Sequence, residues 1–83
     1  MLKPIFGAVL SEARERKHMT QEALARAVEL SARQIQRLET GDQMPSWETL
    51  FLLASALDTT APELIAPVWK QWDDAGRPRL PFE

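Results

Sequence analysis

The chain has 83 residues, of which 45% are apolar and 27% charged, and its net charge is −2. This length fits one small domain, and the composition is too apolar for a disordered chain. The chain has no cysteine, which excludes disulfide bonds, thiolate metal sites and thiol nucleophiles.

Every element that the sequence predicts is a helix, because good helix formers dominate and no stretch alternates as a strand would. Pro4 stands where a first helical turn tolerates proline, and it opens helix 1 over about residues 5–17. Thr20 is a good N-cap for helix 2. The apolar face of helix 2 then consists of Leu24, Ala27 and Val28.

Helices 3 and 4 have clear start and stop signals. Ser31 and Gln34 form a capping box for helix 3, over about residues 32–39. Ser46 caps helix 4, over about residues 47–57. Residues that tolerate the left-handed conformation follow both helices, namely Gly41 and Asp58.

The last helical stretch contains a proline. Thr60 and Glu63 form a second capping box that starts helix 5. Pro67 removes a backbone donor, so we expect helix 5 to end at Ala66 and restart over residues 68–75. The final residues, 77–83, contain two prolines and are expected to be extended.

Helices 2 and 3 are separated by only three residues, 29–31. Such a connection holds two helices at a steep angle and is typical of a helix-turn-helix. Ala25 is small enough for the backbones to approach at the crossing. The apolar anchors of the crossing are Leu24, Val28, Leu30, Ile35 and Leu38.

The outer face of helix 3 is suited to reading bases. A rotation of about 100° per residue brings four residues onto one exposed face without a carboxylate. They are Ala32, Arg33, Gln36 and Arg37. Arg can bond guanine through two donors, Gln can bond adenine likewise, and a helix fits the major groove. The alternative is a solvated amphipathic helix without a specific role.

Two further observations concern an anionic partner. Gln21 and the free N–H groups of the first turn of helix 2 could bind a phosphate, although Gln21 could equally be an ordinary helix-start residue. Residues 1–41 hold seven basic and five acidic residues, whereas residues 42–83 hold three basic and seven acidic. This asymmetry fits a molecule that meets a polyanion with one face, or else scattered solvated charge.

The segments TQEALA, LS, IQRLETG, PSWETL and LASAL resemble the phage repressor and Cro type of helix-turn-helix domain, the XRE family, over about residues 5–65. The resemblance implies an all-α, five-helix, lambda-repressor-like DNA-binding domain over residues 1–66. Its helix-turn-helix spans residues 21–40, and residues 67–83 form a C-terminal extension. The implied partners are double-stranded DNA, read by helix 3, and a second copy in a homodimer.

Matching positions give each residue an expected role. The residues expected to face bases are Ala32, Arg33, Gln36 and Arg37, and those expected at phosphates or edge bases are Gln21 and Gln34. Arg14 and Glu39 are expected to form a structural ion pair between helices 1 and 3.

The chain departs from the family pattern at three places, one of which is the stretch from Val68 onward, where the family offers no counterpart. Glu29 stands where the family usually has glycine with positive φ, at a cost of order 1 kcal/mol. Asp42 and Gln43 stand where relatives often have Lys or Arg. Fewer phosphate contacts predict weaker nonspecific affinity and a shallower salt dependence.

We consider two structural roles for the aromatic residues in the second half of the chain. Trp69 and Trp72, three residues apart on one helical face, could pack in the core or form a subunit interface. Trp47 is likewise expected in a core or an interface. Leu80 and Phe82 could dock on a neighbouring subunit or a partner protein.

Catalysis and cofactor binding are not indicated. His18 has no second ligand at metal spacing, no serine has a paired base, and there is no glycine-rich phosphate loop. We expect no enzyme activity, metal, cofactor or small-molecule ligand. The longest apolar run, residues 50–57, is far short of the roughly 20 residues of a membrane span, and no signal peptide is recognisable. A cytoplasmic location without a membrane partner is therefore expected.

The sequence favours a sequence-specific DNA-binding transcriptional regulator, in particular a repressor of a near-palindromic operator. Its protein partner could be a polymerase. In one version it is an antitoxin-like autorepressor whose acidic half also binds a toxin. The alternative is a protein-interaction module that has lost DNA binding.

Overall fold

The computed structural model describes residues 2–76, which form five α-helices and no strand. The helices are α1 Leu2–Arg16, α2 Gln21–Ala27, α3 Ala32–Thr40, α4 Trp47–Ala56 and α5 Ala61–Asp74. The predicted all-α, five-helix fold is confirmed. The extended tail and the docking of Leu80 and Phe82 concern residues that lie outside the described part of the chain.

Hydroxyl side chains start four of the helices. Each N-cap hydroxyl accepts a hydrogen bond from the backbone N–H three residues further on, which satisfies a donor that the helix cannot. These pairs are Thr20 with Ala23, Ser31 with Gln34, Ser46 with Thr49, and Thr60 with Glu63. All four predicted caps are thus confirmed, because a cap depends only on residues close in sequence.

Left-handed residues end the helices at the predicted places. Gly41 has φ 85°, Asp58 has φ 56°, and Glu29 has φ 58° in the turn after α2. Gly41 is also crowded, because a Cβ added there would lie 2.8 Å from the Cα of Pro4. A glycine is therefore needed at position 41 for both its conformation and its size.

Gly7 lets α1 approach α3 closely, a role that sequence reasoning did not assign. A Cβ added to Gly7 would lie 2.7 Å from the carbonyl oxygen of Leu38. No side chain therefore fits between the two backbones without displacing one of them.

One core joins all five helices, with α1 packed against both α3 and α5. The larger buried side chains are Phe6, Val9, Leu10, Leu24, Val28, Ile35, Leu38, Leu50, Leu53, Leu57, Leu64 and Val68. Ala25 is buried at the α2 crossing as predicted. Ala27, which we assigned to the apolar face of α2, is exposed.

The expected break at Pro67 is wrong, because α5 continues through it. Pro67 leaves the carbonyl of Glu63 without its helical donor, which costs about 3 kcal/mol. Leu64 and Val68, on either side of this defect, are both buried in the core. Burial of two such side chains stabilises by about 1.5–3 kcal/mol each and outweighs the lost hydrogen bond. Residue 66, the expected domain limit, thus lies within α5.

Small differences affect other elements. The first helix begins at Leu2, three residues before the expected start, and α4 ends at Ala56. Within residues 2–76, no single helix has the length and apolarity of a membrane span, and α4 with α5 reaches them only as a pair bent by 108°.

The tryptophans are not core residues. Trp47 is 76% exposed and Trp69 is 57% exposed, while Trp72 is half-buried. The prediction that Trp47 and Trp69 pack in the core is therefore wrong.

Candidate nucleic-acid interface

A short turn, Val28–Ser31, joins α2 to α3. The backbone N–H of Leu30 donates to the carbonyl of Ala25 at 2.9 Å, which ties the turn back onto α2. Leu30 itself packs against the core. This arrangement requires the left-handed conformation of Glu29, which turns the chain sharply between the two helices.

The outer side of α3 is open along its length. Arg33, Gln34 and Gln36 are exposed, and Ala32 and Arg37 are half-buried. On the opposite side, Ile35 and Leu38 are buried in the core. The structure thus brings Ala32, Arg33, Gln36 and Arg37 onto the exposed side of one helix whose inner side is anchored.

Gln34 is partly committed to the helix start. Its side-chain Oε1 accepts from the backbone N–H of Ser31 at 2.8 Å, and the Ser31 hydroxyl accepts from the backbone N–H of Gln34 at 3.1 Å. Both arms of the capping box are present. The Gln34 amide NH₂ remains available as a donor beside the first turn of α3.

Glu39 is the centre of a network that joins α1, α2 and α3. Arg14 donates to Glu39 through two nitrogens, Nε at 2.7 Å and Nη2 at 3.1 Å. Gln21 donates to the same carboxylate through Nε2 at 3.0 Å. A third Arg14 nitrogen, Nη1, donates to the carbonyl of Met19 at 2.7 Å. Arg14 and Glu39 are therefore in direct contact, with side chains that are 13% and 6% exposed.

The bond between Gln21 and Glu39 was not predicted. It uses one N–H of the Gln21 amide, which leaves the second N–H and the carbonyl oxygen. No sequence signal reveals this bond, because Gln21 and Glu39 are 18 residues apart and belong to different helices. The network holds the start of α2 against the end of α3 and so fixes the orientation of the exposed side of α3.

Electrostatics favour the charged network. The hydrogen bonds that the Arg14 guanidinium donates to Glu39 raise its pKa above the ordinary value, and burial opposes that rise only in part. In the described part of the chain, no buried side-chain polar atom lacks a hydrogen-bond partner. The cost of burying these charges is thus offset by well-formed bonds.

Residues 2–76 contain no candidate metal site. No group of three or more His, Asp or Glu side chains there is placed to hold a metal ion. His18 is exposed in the turn after α1, with φ 55°. What the site offers chemically is a set of guanidinium and amide donors on a rigid helix.

The family model described as "Helix-turn-helix" matches residues 10–64, more than half of the chain. The fold and the α2–α3 geometry therefore belong to the class of DNA-binding transcription regulators. The chain is a member of the helix-turn-helix family, of the XRE type.

Solved structures agree with this assignment. The clp gene regulator ClgR from C. glutamicum has a TM-score of 0.79 and 27% identity, over 86% of this chain and 92% of that one. The restriction-modification controller protein C.AhdI from Aeromonas hydrophila has a TM-score of 0.71 and 34% identity, over 74% and 92%. The competence regulator ComR from Streptococcus vestibularis has a TM-score of 0.72 and 30% identity, over 78% of this chain but 22% of that one. Comparison with curated protein sequences gives no match.

Proposed function

We propose that this chain is a cytoplasmic transcriptional repressor that binds a near-palindromic operator in double-stranded DNA as a homodimer. The observation that carries the proposal is the exposed side of α3, where Arg33, Gln36 and Arg37 share a surface. The only carboxylate of α3, Glu39, is nearly buried and paired. Two such helices in a symmetric dimer would read half-sites about 34 Å apart.

Each residue of this surface has a role that follows from its chemistry. Arg33 and Arg37 carry the paired donors that suit guanine, and Gln36 suits adenine. Ala32, half-buried at the start of α3, suits contact with a thymine methyl group.

Gln21 and Gln34 lie at the starts of α2 and α3 and keep free amide N–H groups. Such donors at a helix N-terminus suit a phosphate oxygen. We expect both residues to position the protein on the backbone rather than to read sequence.

Repression would follow from steric occlusion. A dimer with both α3 helices in successive major grooves covers a site of promoter size, so polymerase and repressor would compete for the same DNA. Regulation by the concentration of the protein is sufficient for this mechanism.

In a second candidate function, the chain binds DNA and also a protein partner, such as a toxin or a polymerase. The exposed apolar residues Phe51, at 58%, and Leu52, at 42%, support it, because exposed apolar side chains on α4 suit contact with a protein. Residues 42–83 hold three basic and seven acidic residues, a balance that suits a protein partner better than DNA. In this version the chain is an antitoxin-like autorepressor.

Selection of bound sequences from random duplexes tests the proposal. The selected site should be a near-palindrome, and a titration at two salt concentrations should show it bound more tightly than bulk DNA. Equal affinity for every duplex would contradict sequence-specific repression. Failure to bind any duplex would favour an interaction module without DNA binding.

A further inference from the structure

The side of α1 that faces α3 carries a lysine in its first turn. Gly7 belongs to that side, because a Cβ added there would lie 2.7 Å from the carbonyl oxygen of Leu38. Arg14 belongs to it as well, since it donates to Glu39 of α3. Lys3 precedes Gly7 by four residues, so it lies about 40° from Gly7 around the helix and about 6 Å nearer the start of α1.

Lys3 lies beside the residue that ends α3. A Cβ added to Gly41 would lie 3.3 Å from the carbonyl carbon of Lys3 and 2.8 Å from the Cα of Pro4. The backbone of Lys3 is therefore next to the end of α3. Lys3 is exposed, and no ion pair within residues 2–76 involves it. Its ammonium group is thus available to an anionic ligand.

The exposed side of α3 leads towards this lysine. Arg33, Arg37 and Gly41 are four residues apart, so they follow one another along one side of α3 and its C-cap. Arg33 and Arg37 belong to the proposed base-reading surface. Lys3, beside Gly41, adds a third cation one turn beyond Arg37. Three cations from two helices therefore lie along the side of the molecule that is proposed to meet DNA.

We propose that Lys3 binds a phosphate of the DNA backbone next to the base pairs that α3 reads. This inference rests on the proposed DNA binding and adds a contact that neither α2 nor α3 supplies. A lysine ammonium is a compact charge on a flexible stem, which suits a phosphate oxygen better than a base edge. Phosphate contacts position a protein on the duplex without reading its sequence. Lys3 therefore raises affinity for every duplex and leaves the preference among duplexes unchanged.

The charges around the end of α3 give Lys3 this role. Residues 42–46, which connect α3 to α4, contain one charged residue, Asp42, and it is exposed. Its carboxylate repels a phosphate, and the connection itself supplies no cation to oppose that repulsion. Lys3, on the neighbouring helix, brings the opposite charge to the same place. The cation that this end of the surface needs therefore comes from α1.

Local helix energetics disfavour a lysine at position 3. It lies in the first turn of α1, where a cation opposes the helix macrodipole, and that turn contains no acidic residue. Alanine, by contrast, is the best helix former. Lys3→Ala should therefore leave the midpoint of urea denaturation unchanged or raise it. A lower midpoint would show that Lys3 serves the fold, through the last carbonyl groups of α3.

Binding titrations with the selected operator and with a duplex of random sequence test the proposal. Lys3→Ala should weaken binding to both duplexes by the same factor. Its slope of log K against log salt should be less negative by about 0.9, so between about 50 and about 200 mM salt the parent should lose about 3.5-fold more affinity than the variant. Lys3→Arg keeps the charge and should keep the slope. The control Lys70→Ala removes the same charge from α5 and should keep it too.

Three results would overturn the proposal and leave the repressor function standing. They are a salt slope that Lys3→Ala does not change, an equal change of slope in Lys70→Ala, and a loss of affinity that accompanies a lower urea midpoint. A parent chain that binds no duplex would overturn both proposals. A parent that binds every duplex equally, with the expected effect of Lys3→Ala, would contradict sequence-specific repression and support the Lys3 contact.

Discussion

Arg37 is the residue on which the base-reading hypothesis depends most directly. It lies on the second turn of α3, half-buried, with its backbone carbonyl accepting from the N–H of Asp42 at 2.9 Å. This hydrogen bond closes the end of the helix, so the backbone that carries the Arg37 guanidinium is held in place. Preorganised donors lose little entropy on binding.

We expect Arg37→Ala to weaken binding to the selected operator by about 1–3 kcal/mol and to relax the preference at one base position. Competition titrations with single-base variants of the operator would measure both effects. Lys70→Ala removes the same charge from α5 and should leave affinity and preference unchanged. An unchanged operator affinity for Arg37→Ala would show that Arg37 does not read a base.

Glu39 stabilises the contacts among α1, α2 and α3. Replacing it by Met leaves the Arg14 guanidinium in a nearly buried place without its carboxylate. We expect Glu39→Met to lower the free energy of unfolding by about 3–5 kcal/mol, measured by urea denaturation. The double variant Arg14→Met with Glu39→Met removes both charges and should be more stable than the single variant. If Glu39→Met lowers the free energy of unfolding by less than about 1 kcal/mol, the pair contributes no more than an exposed salt bridge, which would contradict this prediction.

At the scale of elements, short-range and long-range requirements oppose each other in two places. Gly7 lies inside α1, where alanine would favour the helix by about 0.5–1 kcal/mol. Glu29 lies in the turn, where a side chain costs about 1–2 kcal/mol. At position 7 the close approach of α1 to α3 determines which residue suits, whereas at position 29 the turn holds a side chain in a conformation that glycine adopts more easily.

Gly7→Ala should destabilise the protein, because overpacking between α1 and α3 costs about 1–3 kcal/mol and exceeds the gain in helix propensity. The midpoint of urea denaturation would measure the balance. Ala8→Ser changes the exposed neighbour and should stay within about 0.5 kcal/mol of the parent. A more stable Gly7→Ala variant would mean that the helices can separate without cost.

Glu29→Gly should stabilise the protein by up to about 1 kcal/mol, since the relieved strain exceeds the entropy that glycine adds to the unfolded chain. Glu12→Gly makes the same chemical change in the exposed middle of α1 and should destabilise by about 1 kcal/mol. The two variants should therefore move the denaturation midpoint in opposite directions. A common direction would contradict strain at position 29.

At the scale of the whole molecule, charge is divided between two halves. The first 41 residues are net basic and contribute α1, α2 and α3, whereas the rest is net acidic and contributes α4 and α5. Asp42, directly after Gly41, brings acidic charge to the end of α3. Attraction of the molecule to a polyanion is therefore moderate in strength.

We expect Asp42→Lys to increase affinity for nonspecific duplex DNA and to steepen its salt dependence. One added phosphate contact changes the slope of log K against log salt by about −0.9. Binding titrations between low and physiological salt would measure it. Asp73→Lys makes the same charge change on α5, and an equal effect there would show that net charge, not position beside α3, sets the affinity.

Residue type and spacing alone predict the features that depend on neighbours within a few residues. The four hydroxyl caps, the left-handed residues Gly41 and Asp58, and the amphipathic period of α3 are of this kind. The interactions that stabilise these features lie within about one turn of the chain, so residue type and spacing are sufficient to predict them. The resemblance then identified the family, while the DNA contacts of α3 stay predictions.

The features that join distant residues follow instead from how the helices pack. It placed Gly7 against Leu38, bonded Gln21 to Glu39, carried α5 through Pro67 and left Trp47 and Trp69 on the surface. Each outcome depends on whether another helix supplies or withholds a contact, and spacing along the chain does not contain that information. Burial of Leu64 and Val68 outweighs a missing hydrogen bond because core packing, unlike propensity, acts on the assembled helices together.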